Sequence, residues 1–193
     1  YEEIKESKEH DDFWIFEEDK KGNTKVKIIP LKYKLFLERS GFKKYFPADA
    51  QKPTWVKIVS NKVKETSVEK IKDFVLNHLL EIGELDVWSY CANYQTLFSD
   101  PFLLMLETIE LMMLKDNKET SFIAYKNGIL KVTKDNVELM DYIDVDGYIW
   151  ESQIINRDFV IKQNTDNDYK KFINNISSGD SEPIECVIGF LLS

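Results

Sequence analysis

The chain has 193 residues, of which 43% are hydrophobic and 13% aromatic, with only 7 Gly and 5 Pro. That composition excludes disorder and low complexity as the general state and leaves enough apolar material for a real core. A formal net charge of −8 gives a field that repels a phosphate backbone, so any nucleic-acid contact has to come from a local basic patch.

The cations are lysines throughout, apart from Arg39 and Arg157. Bidentate base readers and arginine fingers are therefore scarce. Cys91 and Cys186 both sit in apolar surroundings, which predicts two reduced, buried thiols in preference to a disulfide or a metal site. The longest apolar run, over 102–114, is broken by Glu107 and Glu110 and cannot span a bilayer. Residues 1–12 are charged and unpatterned, without a signal-peptide plan. A cytoplasmic location is the expectation.

From residue 13 the pattern becomes regular. Phe13-Trp14-Ile15-Phe16, a Lys/Gly turn at 19–22, and the alternation Lys25-Val26-Lys27-Ile28 predict a hairpin. Pro30 closes that strand, and Leu31, Leu35 and Phe36 predict a helix ending before Gly41. A loop lies between Pro47 and Pro53. Trp55–Val59 and 62–64 predict a second hairpin turning at Ser60-Asn61. With the first hairpin and helix they make a subdomain over 13–66.

The clearest helix start follows. Thr66 and Glu69 have capping-box spacing, and Ile71, Phe74, Val75, His78, Leu79 and Ile82 line one face up to Gly83. His78 on that face is expected to be packed, not a ligand. A further helix over 85–97 and another starting at Ser99-Asp100-Pro101 extend a helical region over 67–116. Beyond it the period changes to two. Phe122–Tyr125, Asn127-Gly128 and Ile129–Val132 predict a hairpin, and 137–140 and 148–155 predict further strands within a meander over 117–165. Residues 166–193 return to helix, over 169–176 and over the apolar stretch 183–192. The fold class is α+β, with small antiparallel hairpins and sheets flanking a central helical bundle.

No complete catalytic constellation is visible. Asp144-Val145-Asp146 has the spacing of paired metal-binding carboxylates, the basis of a nuclease or primase reading. Gly147 follows at once, however, and no acidic or His partner lies on a nearby strand, which points to a solvated turn. Asp166-Asn167-Asp168 lacks the Gly and closing Glu of a calcium loop and is expected to cap the helix after it. No P-loop, nucleophile elbow, CxxC pair or HExxH helix occurs. Lys25, Lys27, Lys57, Lys62 and Lys64, near Trp14 and Trp55, are the candidate DNA contacts. Basic residues interleaved with aromatics can cradle a single strand, with Trp55 as the stacking platform. The competing reading is a solvated strand face whose aromatics point into the core.

Several strings occur in an order of their own. They are FW with its Lys/Gly turn, LERSGF, VKIVSNKVKETS leading into IKDFV, FLLMLETIE, FIAYKNGILKVTKD, DGYIWESQIINRDF, YKKFINNIS and the final VIGFLLS. Together they resemble the region between the primase and motor parts of phage and plasmid primase–helicases, relatives of the poxvirus-type replicative enzymes with a superfamily three motor. The resemblance runs from about Phe13 to the end. It implies a pre-motor, collar-like domain that supports assembly of a ring, a hexamer in the parent protein, and guides DNA. ATP and Mg would belong to the parent's motor, which makes the parent an ATP-dependent enzyme while this stretch is non-catalytic. It also implies a bacterial host cytoplasm. An apolar segment running uncapped to Ser193 adds the expectation that the polypeptide continues. The rival is a stand-alone interaction module that binds another protein through that apolar C-terminal helix.

Overall fold

A computed structural model describes residues 12–18, 22–160 and 168–177. The chain is α+β, and two compact units are drawn from it by an interleaved path. One comes from Tyr1–Met113 and Asp146–Ser152, the other from Leu114–Val145 and Gln153–Ser193. Five successive segments were the expectation from sequence. The units instead exchange chain, because 146–152 returns to pair with a strand of the first.

The first unit opens on the expected hairpin, β1 (Trp14–Glu18) with β2 (Thr24–Ile28), in antiparallel register Trp14↔Ile28 to Glu18↔Thr24. Helix α1 (Pro30–Arg39) takes Pro30 as its first residue, where the missing N–H costs nothing. So Pro30 begins the helix instead of closing the strand. At its far end Gly41 has φ +91°, and a Cβ there would collide with the Ile58 carbonyl oxygen. A short strand β3 (Phe42–Tyr45) follows. Its sequence, FKKY, offers no clean alternation and gave no sequence signal.

Strands β4 (Thr54–Val59) and β5 (Lys62–Glu65) turn where expected, with Ser60 at φ 47° and Asn61 at φ 59°. Helix α2 (Val68–Glu81) is capped by Ser67, one residue later than the capping-box reading placed it. The reason is local: the Thr66 N–H donates to the Trp55 carbonyl at 2.9 Å and stays with the sheet. Helix α3 (Leu85–Asn93) is shorter than expected and gives way to a 3-10 turn at Gln95–Phe98, followed by the single turn α4 (Asp100–Leu103). His78 is half-buried, its ring 4.9 Å from that of Phe36, a packed histidine as expected.

Helix does not continue to residue 116. The stretch 107–113 is extended, and it meets two strands. Near its start, Lys44 of β3 donates to the Glu107 carbonyl at 3.0 Å, and Ile109 donates to the Lys44 carbonyl at 2.9 Å. Near its end, Tyr148 donates to the Met112 carbonyl at 2.9 Å, just ahead of β9 (Ile149–Trp150), which pairs parallel with β5. The sheet of order β3-β4-β5-β9 is thereby closed by one strap touching both of its edges. The expected strand over 148–155 is only this two-residue β9, followed by a 3-10 turn at Glu151–Gln153.

The core of this unit joins sheet to helices. Phe42 and Trp55 from the sheet meet Tyr33, Phe36 and Leu37 of α1, Ile71, Val75 and Leu79 of α2, and Val87 and Cys91 of α3. Phe13 sits among Trp14, Tyr33 and Phe36 with centroids 4.8, 5.1 and 4.8 Å away. Cys91 is a buried free thiol, as expected.

The second unit holds an antiparallel sheet of β6 (Thr120–Tyr125), β7 (Gly128–Thr133) and β8 (Val137–Met140). The hairpin was legible, but its turn residues are Lys126 and Asn127, since Tyr125 and Gly128 already face each other. A 3-10 turn at Tyr142–Asp144 and helix α5 (Asp168–Ile176) complete the described elements. On α5, Ile173 is buried while Phe172 and Ile176 are exposed. The expected tail at 1–11, Asp166, Asn167, Cys186 and the apolar stretch 183–192 lie outside the described residues.

Candidate nucleic-acid interface

The β1–β2 ribbon carries two of the nominated lysines. Register places Ile15, Glu17, Lys25 and Lys27 on one face and Trp14, Phe16, Val26 and Ile28 on the other. Trp14 is 6% exposed, so the second face is the core side. On the outer face Lys27 Nζ lies 2.6 Å from Glu17 Oε1, both side chains well exposed. An exposed pair of this kind is screened by salt and easily exchanged for another anion.

Between this ribbon and α3 lies a shallow groove lined by Phe16, Thr24, Lys25, Val26, Asp86 and Tyr90. Phe16 remains 49% exposed at its rim. Tyr90 and Tyr94 stand one helical turn apart with ring centroids 5.2 Å apart. Burial is the first cause that raises the Tyr90 hydroxyl above its ordinary pKa, with Tyr94 and Cys91 adding to it, so it stays a neutral donor. Neither Phe16 nor Tyr90 was nominated from sequence. The helical spacing of Tyr90 and Tyr94 was a readable signal, but nothing in it indicated which strand they would face.

The sheet lysines are placed differently. Lys57 Nζ lies 4.3 Å from the centroid of the Phe74 ring and 5.1 Å from that of Phe42, a cation held over the aromatic edge of the core. Lys64 Nζ lies 2.7 Å from Glu151 Oε2. Lys62 is half-buried beside the Ser60-Asn61 turn. Trp55 is 9% exposed within the hydrophobic core. A stacking platform needs an open ring face, which Trp55 does not present, and this corrects its nomination. The structure thus gathers Lys25 and Lys27 on one ribbon and spreads Lys57, Lys62 and Lys64 over a sheet whose Phe42 and Trp55 are buried in the core.

Asp144 ends its 3-10 turn and is exposed, as is Asp146. Among the described residues no group of three or more His, Cys, Asp or Glu side chains is arranged to hold a metal ion, and no helix is long and apolar enough to cross a membrane. Elsewhere, Lys43 bonds to the Glu107 carboxylate and holds it below the usual carboxylate range, first by hydrogen bonding and then by its charge. Burial pushes the Cys91 thiol up to about 12, which keeps it protonated and unreactive. No protein-family model and no curated protein matches this sequence.

Proposed function

We propose that this chain is a non-catalytic, collar-like domain of a phage or prophage primase–helicase, placed next to the motor. In that role it packs against copies of itself in a ring and engages single-stranded DNA weakly. The order of the sequence strings from FW to VIGFLLS supports the setting. The observation that supports DNA contact is the β1–β2 ribbon, whose outer face carries Lys25 and Lys27 beside a groove rimmed by Phe16 and Tyr90. Lysines on one ribbon face with aromatic rings at the adjoining groove suit a flexible single strand, whose bases stack while its phosphates meet ammonium groups. ATP and Mg belong to the parent's motor, and a cytoplasmic setting follows from the same reading.

The groove also explains how an acidic chain can do this. Engagement is local and short-ranged, since beyond about 8–10 Å the screened field contributes little. Binding is therefore expected only at low salt for the isolated domain and would strengthen through multiplicity in a ring.

The test is fluorescence anisotropy with a labelled oligothymidine at low ionic strength. Wild type should bind, Lys25→Glu and Tyr90→Ala should each weaken binding, and added salt should abolish it. Equal anisotropy curves for all three proteins would remove the groove from the reading. A GxxxxGK[ST] loop in the reading frame after residue 193 is the expected sign of the motor setting.

A further inference from the structure

The three-stranded sheet of the second unit treats its two edges differently. Along the outer side of β6, the Thr120 carbonyl accepts from Asn117 N at 2.9 Å and Phe122 N donates to Asp116 Oδ1 at 2.8 Å. The Ala124 carbonyl accepts from Ile155 N at 2.9 Å, and Lys126 N donates to the Arg157 carbonyl at 3.1 Å. Asn127 and Phe159 then exchange two bonds, at 3.0 and 2.8 Å, through the Asn127 side chain. That edge is closed by the chain's own neighbouring segments.

Among the described residues the β8 edge is open. Thr133 N donates to the Asn136 carbonyl at 2.8 Å, which sets the phase of the β7–β8 ladder. In that phase Glu138 and Met140 bond to β7, whereas Val137 and Leu139 turn their N–H and C=O groups away from it. Among the described residues nothing meets those outward groups. The side chains agree: Val137 is 47% exposed, Leu139 38%, and Ile123, on the same face by register, 38%. An open edge flanked by exposed apolar side chains is a template for another strand.

We propose that β8 docks an extended, lysine-bearing segment of another protein as a fourth strand of this sheet. The charges favour a basic occupant. Glu138 sits at the middle of the edge, with Asp135 before the strand and Asp141 after it; Lys131 faces Glu138 from β7, and Lys134 lies in the turn. A second copy pairing antiparallel about Glu138 would set two carboxylates directly opposite each other, which destabilises a ladder. A strand that alternates apolar residues with lysine instead sets ammonium groups against Glu138 and apolar side chains beside Val137 and Leu139. Backbone bonds then supply the affinity and this alternation the specificity.

The test uses the full chain, isotope-labelled, with two synthetic peptides: Val-Lys-Val-Lys-Val and its counterpart with Glu for Lys. The lysine peptide should bind and slow hydrogen exchange at the Val137 and Leu139 amides. Glu138→Lys should weaken it by about fivefold, on the scale of one or two cross-strand charge pairs, and improve binding of the acidic peptide. Val137→Pro, which removes an outward N–H that bonds nothing among the described residues, should weaken both peptides while leaving the unfolding midpoint nearly unchanged. The proposal is overturned if both peptides bind wild type equally or if exchange at Val137 and Leu139 does not respond. It is also overturned if those amides become protected by raising the protein concentration alone, which would assign the edge to a second copy.

Discussion

Glu38 Oε1 accepts the backbone N–H of Glu107 at 2.7 Å, joining the last turn of α1 to the first residue of the strap. The other carboxylate oxygen of Glu38 accepts Lys34 Nζ at 2.8 Å, and the Glu38 side chain is only 10% exposed. One acid therefore anchors the segment that closes the sheet, and its partner is main chain, which no substitution at position 107 short of proline can remove.

Glu38→Ala should lower stability by about 0.5–1.5 kcal/mol, the net worth of its hydrogen bonds to the Glu107 N–H and the Lys34 ammonium. Glu38→Gln keeps an acceptor for the Glu107 N–H and should lose less. Urea unfolding of both variants checks the ranking, and equal losses would show that the backbone bond contributes little.

Acid should loosen the same region. The Glu107 pKa is lowered in the folded state, first by its bond to Lys43. A depressed carboxylate contributes stability above its unfolded value of 4.5, and that contribution is lost as pH falls through the folded value. Glu69 behaves likewise, held down first by the Ser67 hydroxyl. Lys43→Met should lower the neutral-pH urea midpoint slightly, the pair being exposed, and flatten the fall below pH 4.5 by the same amount. An unchanged acid slope would assign the loss elsewhere.

Cys91 should be inert until the protein unfolds. With Cys186→Ser leaving it the sole thiol, a thiol reagent at mildly alkaline pH should label native protein negligibly and label it fully in urea. Labelling that tracks the urea transition is the expected trace, since burial has pushed the thiol up to about 12.

Lys57→Gln should leave single-strand binding unchanged, in contrast to Lys25→Glu. The Lys57 ammonium is already held over Phe74 and Phe42, so its loss should appear instead as about 0.5–1 kcal/mol of stability. Anisotropy and urea unfolding on the same samples separate the two outcomes.

Gly128→Ala should destabilise the three-stranded sheet by about 1–3 kcal/mol. Gly128 has φ +152°, and a Cβ there would come within 2.5 Å of the Met140 carbonyl oxygen. Exchange at the Leu130 and Ile129 amides should speed up first.

Much of this fold was readable from local pattern, because hairpins and amphipathic helices declare themselves within ten or so residues. Thr24–Ile28, α2 and the β6–β7 pair were legible for that reason. What escaped depended on distant partners. β3 is a strand because β4 and the strap bond to it from either side, not because FKKY alternates. The run FLLMLETIE resembles helix in composition, yet beyond Leu106 its backbone is claimed by Lys44 and Glu38. The candidate site followed the same rule. Lysines on strands were visible, but whether each meets an acid, a ring or open solvent was decided by other elements. Trp55 misled because an aromatic beside lysines looks the same in sequence whether its ring faces in or out.

The strap also fixes a schedule. Its far end has no partner until Tyr148 and β9 have been made, and those residues follow the first segment of the second unit, 114–145, in the chain. During synthesis, then, the outer side of β5 stays unpaired while 114–145 emerges, a window in which stray strands can add to it. A truncation ending near Met113 would hold the protein in that window permanently, so an expression boundary there should yield aggregates, whereas one that keeps 146–152 should not.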